Sequence, residues 1–279
     1  MNNLKFMKLQ IKHFTLILII SLLSFSARSE DIYTFGIVPQ QSATKLAELW
    51  GPILQRIGNQ SGIRIQFATA PDIPTFEQRL SEGVYDFAYM NPYHFTVFNK
   101  QPGYQALVKA KDKRIKGIIV VRKDSPIENL EQLNNSDMAF PAPAAFAASI
   151  LTRSHLAAIG VKIRPHYVSS HDSVYLTVAK DLYVAGGGVM RTFNNMDRST
   201  RDKLRILWTT DGYTPHAIAF HPRVATEIGD TVRKNLISLA EDPEGKALLK
   251  NIGLKSFTVA NNSDWDDVRS LKIDLLNDL

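Results

Sequence analysis

From Tyr33 onward the chain alternates short β-rich runs with segments whose apolar residues recur at helical spacing, and this alternation restricts the fold more than any other feature. YTFGIVP (33–39) precedes a segment that places Leu46, Leu49, Trp50, Ile53, Leu54 and Ile57 on one helical face. IRIQFATA (63–70) then leads to a short helix opened by Pro74 and closed by Gly83, followed by YDFAYM (85–90). Strand, helix, strand, helix, strand implies a parallel sheet with right-handed crossovers.

GIIVVRKD (117–124) is expected to carry the chain out of this unit, because the rhythm restarts beyond it. DMAF (137–140), a helix from about Ala144 to Ile159 ended by Gly160, and IRPHYV (163–168) open a second unit. A helix from near His171, the strand YVAGGGVM (183–190) and LRILWTT (204–210) continue it. HAIAFHP (216–222) reads as a return strand. The remainder is expected to be helical, with Ile228, Val232, Leu236 and Leu239 on one face and Val268, Leu271 and Leu275 on another. The expected α/β architecture is two lobes with a cleft between them: 30–120 and 216–279 in lobe I, and 121–215 in lobe II. Two crossing strands form the hinge.

The N-terminus points to export. Lys5, Lys8 and Lys12 precede the apolar run FTLILIISLLSF (14–25), too short to span a bilayer, and Ala27 and Ser29 fit a cleavage site. Residues 1–29 are therefore read as a signal peptide. They hold four cations (Lys5, Lys8, Lys12 and Arg28) and no acid, so removing them lowers the formal net charge from +6 to +2. A near-neutral chain without a block of like charges offers no electrostatic footprint for nucleic acid. KAKDKRIK (109–116) reads as a solvated turn between strands. The absence of cysteine excludes a disulfide framework and a lipidated cysteine, so a freely soluble, unanchored periplasmic monomer is expected.

Open parallel sheets bind ligands beyond the carboxyl ends of their strands, where helix N-termini present free N–H groups. In lobe I this selects Gln40, then Tyr89, Asn91, Tyr93 and His94. In lobe II it selects Ala144 and Ala145 at the start of a helix, and Ser170 and His171 at the start of the next. Gly187 and Gly188 permit close backbone approach, with Arg191 and Thr192 following where an anion could be held. A helix N-terminus at His171 disfavours the imidazolium, so a neutral ring is expected. No catalytic or metal-ligating constellation is present: there is no cysteine nucleophile, no G-x-S-x-G and no H-E-x-x-H. His216 and His221 lie on opposite faces of a strand and read as structural histidines. No enzyme activity and no cofactor are implied.

FGIVPQQSATKLAELWGPIL, GVYDFAYMNPYHF, SSHDSV, AGGGVMRTF and TPHAIAFHP together resemble the phosphate/phosphite/phosphonate-type substrate-binding proteins of ABC transporters. The resemblance implies the type II periplasmic binding fold and lobe closure on a small oxyanion, phosphate-, phosphite- or phosphonate-like, that is passed to a membrane permease. It also implies ligand contacts from Tyr89, Asn91 and Tyr93. One departure is clear: a hydroxyl cluster expected at the start of the first lobe II helix is replaced by Ala144, Ala145, Phe146 and Ala147. Each lost hydrogen bond to a charged group is worth about 1.5–3 kcal/mol, which argues against phosphonate itself. The alternative function is a periplasmic ligand-sensing module partnering a sensor histidine kinase or chemoreceptor.

Overall fold

The computed structural model describes residues 31–276; the segment read as a signal peptide lies outside them. β1 (Ile32–Ile37) leads into α1 (Ala43–Ser61), which is capped by Ser42 and buries Leu46, Trp50, Ile53, Leu54 and Ile57, five of the six residues its spacing assigned to one face. β2 (Arg64–Ala68), α2 (Ile73–Ser81) and β3 (Phe87–Met90) complete the parallel core, β1 pairing with β2 on one side and β3 on the other. A short helix, α3 (Pro92–Phe98), follows β3 directly.

Three antiparallel strands extend this sheet: β4 (Gln105–Ala110), the return strand β10 (Ala217–Phe220) and β11 (Phe257–Val259), in the order β11-β4-β10-β3-β1-β2. The C-terminal region is thus not wholly helical, as its spacing suggested. Its apolar residues serve two structures: α7 (Thr226–Ser238) buries Val232 and Leu236, whereas Phe257 pairs with Ala110 in the sheet. The second expected helical face shrinks to one turn, Asp266–Arg269, with Val268 buried and Leu275 exposed.

The second sheet has the order β7-β6-β8-β5-β9, built from β5 (Gly117–Arg122), β6 (Ser136–Phe140), β7 (Ile163–Tyr167), β8 (Ala185–Val189) and β9 (Leu204–Thr209). The chain crosses between sheets twice, through 111–116 and 210–216. An antiparallel bridge, Ile115 to Tyr213, ties the two crossings together. Lys109 and Ala110, read as part of a turn, belong to β4, and the rest of that basic stretch is the first crossing.

The helix expected from Ala144 begins at Phe146 and starts as a wide π-turn, Phe146–Leu151, before continuing as α4 (Thr152–Ala158). Its first turn is held open from within. The Ala145 amide folds back onto Ala142 O, the Ser149 hydroxyl donates to the same oxygen at 2.6 Å, and the Ser149 and Ile150 amides share Ala145 O. Ser149 and Thr152 are fully buried, so both hydroxyls are obliged to bond to main chain, Thr152 to Ala148 O. π-Turns of this kind occur mostly where the main chain is needed for function.

The glycines of β8 make this turn possible. A Cβ on Gly187 would stand 2.1 Å from Ala148 O and 2.6 Å from the Phe140 ring, and one on Gly188 would stand 2.4 Å from the Tyr175 hydroxyl. Gly117 on the neighbouring strand is equally constrained, 2.0 Å from Ala147 O. The close approach that three successive glycines suggested is therefore approach by the protein itself. Ala144 to Ala148 pack into the same apolar cluster as the lobe I core, so the lobes meet in a closed arrangement.

Candidate functional site

At the closed interface lies a cavity of about 10 Å³, the room of a single water. Lobe I contributes Val38, Gln40, Ile73 and Asn91, from the carboxyl ends of β1 and β3 and the start of α2. Ile115 and His216 come from the crossings. Lobe II contributes Ala145 to Ala148, His171 and Val189. The amides of Phe146, Ala147 and Ala148 open the π-turn, and among the described residues none of the three has a hydrogen-bond acceptor. Three successive free N–H groups at a helix N-terminus form a cradle for oxygen atoms.

Asn91 faces that cradle. Its Oδ1 caps α3 by accepting from His94 N at 2.8 Å, which leaves Nδ2 to donate across the cleft to Ala144 O at 3.2 Å. Gln40 is the second link between the lobes. Its carbonyl accepts from His171 N at 3.1 Å, and its Oε1 accepts from the Arg191 guanidinium.

Arg191 follows β8 in a short helix, α6 (Met190–Asn194), and its guanidinium lies 5.7 Å from the centre of the Tyr89 ring. Tyr89 in turn stacks on His216, with ring centres 4.8 Å apart. Among the described residues Arg191 has no carboxylate within 4.0 Å, and its other contact is to Ile252 O. A half-buried cation without a counter-charge gives this part of the cleft a positive potential.

The histidines respond to that environment. Burial, reinforced by the Arg191 charge, pushes His171 down to about 3, so the ring is neutral, as its helix position suggested, but for a different first cause. His216 is lowered well below its ordinary value by burial and by Arg191, His94 and His171. Its Nε2 is buried without a hydrogen-bond partner at the cavity wall. A neutral imidazole in that position can donate to an anion without adding charge. His216 is not the satisfied structural histidine that strand periodicity suggested; the signal was its place one residue before the return strand, in a crossing.

The remaining sequence candidates sit behind the cavity wall. Tyr93 accepts from Leu276 N at 2.9 Å, and His94 pairs with buried Glu77 at 2.8 Å inside lobe I. Ser170 caps α5 (His171–Ala179) by accepting from Ser173 N at 3.1 Å. Thr192 hydrogen-bonds Tyr175 and Val189 O. Gly187 and Gly188 support the π-turn and Tyr175 rather than lining the cavity.

Two α/β lobes, two crossings and a cleft walled by free amides and by an arginine with no carboxylate partner among the described residues define a type II periplasmic binding protein. The model of the family described as "ABC transporter, phosphonate, periplasmic substrate-binding protein" matches residues 35–265, and the chain belongs to that family. It is 21% identical over 264 residues to the phosphonates-binding periplasmic protein of Escherichia coli K12, covering 88% of this chain and 77% of the relative. It is 20% identical to the phosphate-import protein PhnD of Mycolicibacterium smegmatis, covering 73% and 70%. The solved structure of PhnD1 from Prochlorococcus marinus in complex with methylphosphonate superposes with a TM-score of 0.79 at 16% identity, covering 90% of this chain and 100% of that one. Among the described residues no helix is long and apolar enough to cross a membrane.

Proposed function

We propose that this protein captures a small oxyanion of the phosphate, phosphite or phosphonate type by closure of its lobes and delivers it, chemically unchanged, to the permease of an ABC uptake system. The observation that carries this reading is the cradle of three unpaired amides at Phe146, Ala147 and Ala148, closed over by Asn91 and bordered by Arg191. Amides and a guanidinium supply donors, and among the described residues no acid lines the cavity to repel an anion. Entry of a tetrahedral anion requires the lobes to part, since the closed cavity holds about one water. The anion then takes the place of the cross-cleft bonds, Asn91 to Ala144 O and Arg191 to Gln40, so each donor exchanges one acceptor for another. The export signal read in residues 1–29 and the periplasmic character of the family support capture in the periplasm.

The alanines at 144, 145 and 147 supply no hydroxyls, so this wall of the site binds through main chain alone. Calorimetry of the mature protein against phosphate, phosphite, methylphosphonate, aminoethylphosphonate, sulfonates and carboxylates tests the proposal. Saturable binding of at least one tetrahedral phosphorus oxyanion is expected. No saturable heat and no thermal shift with any of them overturns it.

A further inference from the structure

Beside the small cavity lies a larger chamber of about 160 Å³, and Ile115, Val189 and His216 wall both spaces. Its cations come from two places: Lys113 and Lys116 in the first crossing, and Arg191 from lobe II. Among the described residues none of these three has a carboxylate within 4.0 Å; Arg114, also at the wall, pairs with Asp267. Among the described residues no acid lines the chamber. Two further polar groups are uncommitted. His216 is 5% exposed with Nε2 unpartnered, and Asn195 Nδ2 is buried without a partner. Buried polar groups of this kind are costly to leave without a hydrogen-bond partner.

We propose that this chamber is a second anionic subsite, and that the preferred ligand carries two anionic groups: a tetrahedral phosphorus head in the amide cradle and a carboxylate in the chamber. This rests on the reading of the cradle as an oxyanion site. The shared walls set the linker chemistry. Ile115 and Val189 are apolar, so the connecting atoms are a short hydrocarbon chain, while His216 stands where the two halves of the ligand meet. The chamber cations also lie at the hinge, so the carboxylate engages the crossing and lobe II together and favours the closed state by differential contact.

The test is calorimetry of the mature protein with methylphosphonate, phosphonoacetate and 3-phosphonopropionate, repeated on Lys113→Ala/Lys116→Ala. Both lysines are exposed, and melting temperature monitors folding. At least one phosphonocarboxylate is expected to bind tenfold or more tighter than methylphosphonate. The double variant should erase that advantage and leave methylphosphonate affinity unchanged. Methylphosphonate binding with no phosphonocarboxylate advantage, or an advantage that survives the double substitution, overturns the subsite while leaving the cradle standing. Failure of all three ligands overturns the subsite, and the cradle falls with it only if phosphate and phosphite also fail to bind.

Discussion

Arg191 of lobe II donates to the side-chain oxygen of Gln40 in lobe I, and among the described residues no carboxylate lies beside this cross-cleft bond. The guanidinium is thus held by a neutral acceptor that an anion can outcompete. Arg191→Ala is expected to weaken oxyanion binding more than tenfold while leaving the melting temperature within about 2 °C of the parent, since its partners are one amide oxygen and one carbonyl. Calorimetry and a thermal melt on the same variant check both halves.

Asn91 caps α3 through Oδ1, while its Nδ2 lies between His94 Nε2, 2.9 Å away, and Ala144 O across the cleft. Asn91→Asp keeps the cap and replaces the donor with a negative charge. Folding should survive, and affinity for phosphate or methylphosphonate should fall by more than tenfold. Retained affinity would place the anion elsewhere.

Gly187→Ala puts a methyl group 2.1 Å from Ala148 O and against the Phe140 ring. The π-turn must move to admit it, at an expected cost of about 1–3 kcal/mol. Because the same turn carries the amide cradle, affinity should drop along with stability. Denaturant unfolding and calorimetry report the two effects.

His171 sets an acid limit. An unfolded histidine takes up a proton near pH 6.5, whereas the folded ring does so only at about 3. Stability is therefore full above about 6.5 and declines as the pH falls toward 3, with a slope approaching 1.4 kcal/mol per pH unit for the single site. His171→Gln should flatten that decline in denaturation curves measured between pH 7 and 4.

Asp172, the next residue, acts with the opposite sign. Burial and the nearby Asp197 raise its carboxyl to about 6, so the folded state binds the extra proton and gains stability as the pH falls from 6 toward 4. Asp172→Asn removes this offset. Its stability should fall more steeply than the parent's on acidification through that window.

Periodicity located the helix buried by Trp50 and most strands of both sheets because those residues alternate or recur at the spacing their element demands. It overlooked β4 and β11. Pairing of Phe257 with Ala110 is a contact between distant segments, invisible in a window of local sequence. Within the site, Gln40, Asn91, Ala145 and His171 were legible as residues at strand ends and helix starts, and all four line the cavity. Tyr93 and His94 share that position in the sequence, yet the helical turn after Asn91 directs them into lobe I, toward Leu276 and Glu77. His216 reads as structural in the sequence because its meaning comes from a crossing between lobes and not from its own strand.

The π-turn at Phe146 to Leu151 makes one wall of the site from peptide groups, which every amino acid except proline carries alike. Substituting Ala144, Ala145 or Ala147 by any residue but proline can crowd that wall or add to it but cannot delete its donors. Any retuning of what this protein selects must therefore be written on the facing side, in Asn91, Gln40 and His216, or in the lysines of the first crossing. Libraries built to alter selectivity should randomise those positions and leave the alanine turn untouched.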